Sequence, residues 1–383
     1  MNRQKEGVRF LLDFLKEIYL DDYIAKGGSK TKFITGRAGS GKTFFLDQMK
    51  RDAEAAGYIT VSFSAKKVWL HDFRNIYLEI LNQVNMEQRI NDCADVIIRN
   101  MDYSPEEVHQ SRNFIDYLAS KNEANILNKR ALRGEITNMF LQNPLLDTNF
   151  ASVCAQLTAD RLGHPSLDEG DRTLLYQWLM GDSTMKFTVL RALGLSPVRI
   201  TKYNARHMLR SLSEVIRLGG HSGLIIFIDD LDILCDNSGM EEIHYGKVRR
   251  DDAYESIRQI IDDIDTMRSL MFVFAFDRTL IDNEKAGIKS YQALWMRIQN
   301  EVLSERFNCF SDILDLDRLA SQVYSDDYIM EMSLEFAEEA EKKSKEASII
   351  DEQTISEILE KAKYGSVGLP QLIKEATLEG KKS

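Results

Sequence analysis

The sequence predicts an α/β fold: a parallel β-sheet flanked by helices, with a large helical insert and a helical C-terminal lid. Three observations predict it. Two continuously apolar runs, GLIIFIDD (223–230) and SLMFVFAFD (269–277), end in aspartate, as buried parallel strands covered on both faces do. A glycine-rich stretch, GRAGSGKT (36–43), follows the short run TKFIT (31–35) and opens a helical pattern. From about Ala65 to Gly220 the periodicity is helical, with almost no strand signal.

In chain order, residues 8 to 24 read as an amphipathic helix with Val8, Leu11, Leu12, Leu15, Ile18 and Tyr19 on one face. GGSK (27–30) breaks it, and TKFIT forms the first strand. After the glycine loop, TFFLDQMKRDAEAAG reads as a helix with a glycine stop. The β-branched and aromatic run YITVSF (58–63) is a second strand. The two apolar runs supply two more, and DILDL (312–316) is a weaker candidate. From about residue 325 the chain is charged and helical. The expected division is a helical segment at 1–29, a core at 30–320 with its insert at about 65–220, and a lid at 321–383.

Composition narrows the class. Hydrophobic residues make up 44% and charged residues 28% of 383, which is ordinary globular composition rather than disorder. The four cysteines are far apart and form no CxxC pair, so neither a zinc site nor a disulfide framework is expected, and a reducing cytoplasm fits best. No run is long enough to span a bilayer, and charges interrupt the N-terminal apolar residues, unlike a signal peptide. The net charge of -11 disfavours coating an anionic polymer with the whole surface, while local basic clusters remain available.

GRAGSGKT carries the chemistry. Gly36, Gly39 and Gly41 permit backbone angles and close approaches that side chains obstruct. The N–H groups of Gly36, Arg37, Ala38, Gly39, Ser40, Gly41, Lys42 and Thr43 can then converge on phosphate oxygens, helped by the dipole of the following helix. Lys42 places a cation at the β and γ phosphates of ATP, and the Thr43 hydroxyl suits magnesium. Magnesium needs a second anchor at the end of a buried neighbouring strand, and Asp229 stands there. Asp230 follows as the group that orients or deprotonates water, with Asp232 able to share the role. Its aspartate is one methylene shorter than the more usual glutamate.

Asp277 ends another buried strand. It is a candidate sensor of the γ-phosphate and equally a candidate cap for the segment that follows. Arg306 and Arg297, in WMRIQNEVLSERFNCF, stand where an arginine finger acting in trans would sit in a homo-oligomer, with surface ion pairing as the alternative. Arg249 and Arg250 are a basic pair for DNA, a neighbouring subunit or simple helix-surface charge.

The order of these parts is that of a P-loop NTPase of the ASCE/AAA-like kind. LLYQWLMGD (174–182), ARHMLRSLSEVIRLGGHSGLIIFIDDLDIL, YESIRQIIDDIDTMRSLMFVFAFD and YQALWMRI (291–298) together resemble the ATP-binding proteins of bacteriophage-exclusion (BREX) systems, of the BrxC/BrxD type. The resemblance covers roughly residues 30 to 320. It implies an ATP-hydrolysing protein in phage defence, working with a DNA helicase or a methyltransferase, and with DNA within reach. Two departures are visible: Asp230 and Asp232 replace glutamates, and GLPQLIKEA puts Gln371 where related ATPases place a nucleotide-sensing arginine, with Lys374 one turn away. FAFDRTLID also looks like the matching strand of KAP-type NTPases, and SERFNCF weakly resembles origin-recognition ATPases. A nucleotide-gated scaffold with negligible turnover and a helicase or transposase loader are the rival functions.

Overall fold

The computed structural model describes residues 7–182, 184–196, 198–236, 238–302, 306–343 and 346–379. Five strands form one sheet: β1 (Ser29–Gly36), β2 (Tyr58–Ser64), β3 (Gly223–Asp229), β4 (Leu270–Asp277) and β5 (Ile313–Asp315), in the order β2-β3-β4-β1-β5. Every pairing is parallel. All five strands therefore present their carboxyl ends at one edge. The protein is α/β, as expected.

The apolar runs become strands because side chains alternate between two faces that are both covered. On one face Phe33, Leu224, Ile226, Ile228, Phe272, Phe274 and Phe276 pack against the helical insert. On the other, Ile34, Ile225, Phe227, Met271, Val273, Ala275 and Leu314 pack against the N-terminal helix and the helix Lys42–Ala55. A third, smaller cluster holds the C-terminal helices together: Ile329, Ile350, Ile355, Ile358, Leu369 and Ile373, with Ala320 joining it to the core. The insert between β2 and β3 is helical among its described residues, from Phe73–Val84 to Ala205–Leu218. No helix among the described residues is long and apolar enough to cross a membrane.

Two local readings are corrected. The segment after Phe14 is not an ordinary α-helix: Leu15–Ile24 winds as a π-helix. A wider turn brings side chains round after four or five residues, so Leu15, Tyr19, Leu20 and Ile24 are buried while Ile18 is 40% exposed. β5 is shorter than DILDL. Asp315 accepts hydrogen bonds from the backbone N–H groups of Asp317 and Arg318, which caps a helix starting at Leu316 and ends the strand.

Candidate functional site

The glycine loop leaves β1 at the carboxyl edge and enters the helix Lys42–Ala55. Gly39 and Gly41 have φ of 74° and 90°, angles that cost other residues strain. Gly36 is needed for a different reason: a Cβ there would lie 2.4 Å from Ser40 Oγ. No side chain caps the helix, so its first N–H groups stay available to an anion. Phosphate is the ligand such a loop suits.

Lys42 is not the exposed cation that the motif alone implies. Its side chain is 16% exposed, and Nζ donates to the carbonyls of Gly36 at 2.7 Å and Arg37 at 3.0 Å. It also lies 3.8 Å from Asp277 Oδ2, across the β1–β4 register that aligns Gly36 with Asp277. Of the two readings of Asp277, the local cap is present. Its Oδ1 accepts from Thr279 N at 3.0 Å, a local cap, while its other oxygen faces the Lys42 ammonium.

Asp229 ends β3, aligned with Ser64 at the end of β2. Burial raises its proton affinity, and the negative charges of Asp230 and Asp232 add to the rise. A hydrogen bond from the Asp230 N–H and the Lys42 charge oppose it. A cation beside Asp229 would offset both unfavourable terms. Thr43 is exposed on the helix's first turn and offers a hydroxyl oxygen. Among the described residues no group of three or more His, Cys, Asp or Glu could hold a metal. Two protein oxygens with the remainder from phosphate and water is how magnesium is commonly held, so Thr43 and Asp229 fit that ion.

Asp230 adopts a left-handed conformation, φ 58°, rare for a residue with a Cβ. Its carboxylate accepts from Ser64 Oγ at 2.6 Å and lies 3.4 Å from Lys66 Nζ, which also reaches Glu241 at 3.3 Å. Asp232 Oδ1 accepts from the backbone N–H of Asp277 at 2.9 Å, so this acid ties the ends of β3 and β4 together. The structure thus brings Lys42, Asp229, Asp230, Asp232 and Asp277 to one edge.

The arginine candidates separate. Arg297, in the helix Gln292–Val302, donates Nε to Asp262 at 2.8 Å, the ion pair that was the alternative to a finger. Arg306 is exposed on the segment leading to β5, while Ser304 and Glu305 of SERFNCF lie outside the described residues. Arg249 lies over the Trp69 ring, 4.7 Å from its centroid.

Sequence reasoning missed the way the C-terminal helical segment grips the loop. Gly368 N donates to Ala38 O at 2.8 Å, and Gln371 N to Gly39 O at 3.2 Å. Arg37 reaches the same segment from the loop, donating to the carbonyls of Ala362 at 2.8 Å and Gly365 at 2.6 Å. Its backbone N–H donates to Asp317 at 2.7 Å. Gln371 therefore stands beside the loop, and Lys374 lines the adjoining cavity of about 1330 Å³ with Leu12, Tyr328 and Phe336. The signal for this contact was the pair of small residues Gly365 and Gly368. A Cβ on Gly368 would meet Ser40 Cα at 2.5 Å and Ser40 N at 2.6 Å. Gly368→Ala should therefore push the C-terminal segment from the loop, read as faster hydrogen exchange across 365–379 with the sheet unchanged.

A glycine loop that opens an uncapped helix at the carboxyl edge of a parallel sheet is the mark of nucleotide-binding α/β proteins. The chain belongs to one family of them, the BREX system ATP-binding proteins BrxC/D, whose model matches residues 14–369. Membership brings an ATP-binding role in phage defence. No curated protein and no solved structure gives a significant match to the chain.

Proposed function

We propose that the protein is an AAA-like P-loop ATPase that hydrolyses ATP and uses its nucleotide state to control a DNA-processing partner, such as a helicase, in the cytoplasm. The single observation that carries hydrolysis is Lys42, in the glycine loop, lying 3.8 Å from Asp277 and close enough to Asp229 to act on its charge, with Asp230 next to Asp229 in the chain yet differently held. The loop N–H groups and Lys42 bind the phosphates. Magnesium, held by Thr43 and Asp229, would supply a Lewis acid that neutralises phosphate charge. Asp230 orients water and accepts its proton, Asp277 contacts the γ-phosphate, and Asp232 keeps the two strand ends in register.

In this reading residues 30–320 form the ATPase core, 1–29 an N-terminal helical segment and 321–383 a helical lid, and the insert selects the partner. Insertions on a fixed scaffold commonly carry such specificity. One observation favours slow turnover without a partner. Asp230 is already engaged by Ser64 and Lys66, so its carboxylate must exchange those partners before it can hold an attacking water. The deciding experiment is phosphate release from ATP and magnesium with the protein alone, with duplex DNA, and with a DNA helicase of the same defence system. Turnover that stays at background in all three would leave a nucleotide-gated scaffold in its place.

Assembly completes the proposal. If Arg306 reaches a neighbouring copy's site, it stabilises transition-state charge only at that junction. Arg306→Ala should then bind ATP normally but hydrolyse it poorly. Mixed with Lys42→Ala, it should regain part of the activity, because some junctions pair an intact loop with an intact arginine. Light scattering would confirm mixed oligomers, and no recovery within them would remove Arg306 from the role.

A further inference from the structure

Just beyond β2, cations and aromatic rings gather on one surface. Trp69 and His71 meet edge to face with centroids 5.1 Å apart, and Trp69 meets Tyr245 at 5.2 Å. Arg249 lies over the Trp69 ring. The loop at 199–204 is drawn to the same place. Arg74 donates Nε to Ile200 O at 3.0 Å, and Arg206 stands over the Phe73 ring, 5.8 Å from its centroid. That loop presents Lys202 and, 81% exposed, Tyr203, the ammonium 5.3 Å from the ring centroid. Burial lowers the proton affinity of His71, and the charges of Arg249 and Lys202 lower it further, as their nearness requires. Asp72 and Asp252 act in the opposite sense.

Fold stability does not account for this arrangement. Lys247, Arg249 and Arg250 occupy the first turn of the helix Lys247–Asp263, which has no acid there. A helix dipole disfavours cations at that end. Lys67, Lys202 and Arg249 are exposed, and none of them is paired with a carboxylate among the described residues. The chain has 60 acidic residues to 49 basic ones, so carboxylate partners were in ample supply. His71 Nδ1 and Arg250 Nε are buried without a partner.

We propose that this surface, built from Trp69, His71, Lys202, Tyr203 and Arg249, binds single-stranded nucleic acid. The cations suit successive phosphates, and Trp69 positions the Arg249 guanidinium, whose N–H groups pair with phosphate oxygens. The exposed Tyr203 ring offers a face on which an unpaired base stacks. An acidic protein segment would use the cations but leave that ring unused, and a duplex offers no free base to stack. The chain's net negative charge confines the binding to this local surface.

The test is fluorescence anisotropy of the full chain with a labelled single-stranded DNA of roughly 16 nucleotides. It needs no ATP, so its failure leaves the ATPase reading untouched. Affinity should fall as salt rises. Tyr203→Ala and Arg249→Ala should each weaken binding roughly tenfold, while Tyr203→Phe, which keeps the ring, should bind as the parent does. Both side chains are exposed, so circular dichroism should show intact folds. Three results would overturn the proposal: no binding to the single strand, equal binding to duplex and single strand, or binding indifferent to Tyr203→Ala.

Discussion

Lys42→Ala should lose about 2–3 kcal/mol of ATP binding, roughly 30- to 150-fold in Kd, while melting close to the parent temperature. Of the two side-chain cations in the loop, Arg37 is committed to the Ala362 and Gly365 carbonyls, which leaves the Lys42 ammonium for phosphate, and a charge-assisted bond there accounts for a loss of that size. Deleting it also removes donors from the carbonyls of Gly36 and Arg37. The loop does not depend on those bonds alone. Arg37 is anchored to Asp317, and the lid holds Ala38 and Gly39 from the other side, so the backbone keeps its course. Isothermal titration with ATP and magnesium reads the affinity, and calorimetry reads the melting. Unchanged affinity would end the assignment of the socket.

Asp230→Asn should bind ATP normally and hydrolyse it about 100-fold more slowly or worse, the usual contribution of a positioned base. An amide can still accept the Ser64 hydroxyl's hydrogen bond, so the strand-end geometry survives. It cannot take a proton, and it no longer attracts Lys66. Steady-state phosphate release measures the loss. Parent-rate turnover would reduce Asp230 to an end-of-strand residue and pass the role to Asp232, whose Oδ1 is committed to the Asp277 N–H.

Local pattern carried much of this protein. The apolar runs at 223–229 and 270–277 had to be strands covered on both faces, because no amphipathic arrangement buries every residue of such a run. The glycine loop was legible for the same reason: φ of 74° and 90° at Gly39 and Gly41 is a demand that few other residues meet. Family membership could also be read in the sequence, from the apolar strands with their terminal acids and the helices between them.

What the sequence by itself determined was the set of chemical groups and the strand ends that carry them. Which groups meet was decided only by tertiary structure. Lys42 folds back to the Gly36 carbonyl and toward Asp277 because β1 and β4 are paired neighbours, a register that local pattern does not encode. Arg297 is taken by Asp262 on another helix, a match of two surface charges 35 positions apart in the chain. The C-terminal segment reaches the loop from more than 320 residues away through backbone hydrogen bonds, and nearly every residue offers the same backbone groups, so the small Gly368 is the chief sign of the contact in the sequence. Even the N-terminal helix changed its inward face when its winding widened, since the buried set follows the turn that packing selects.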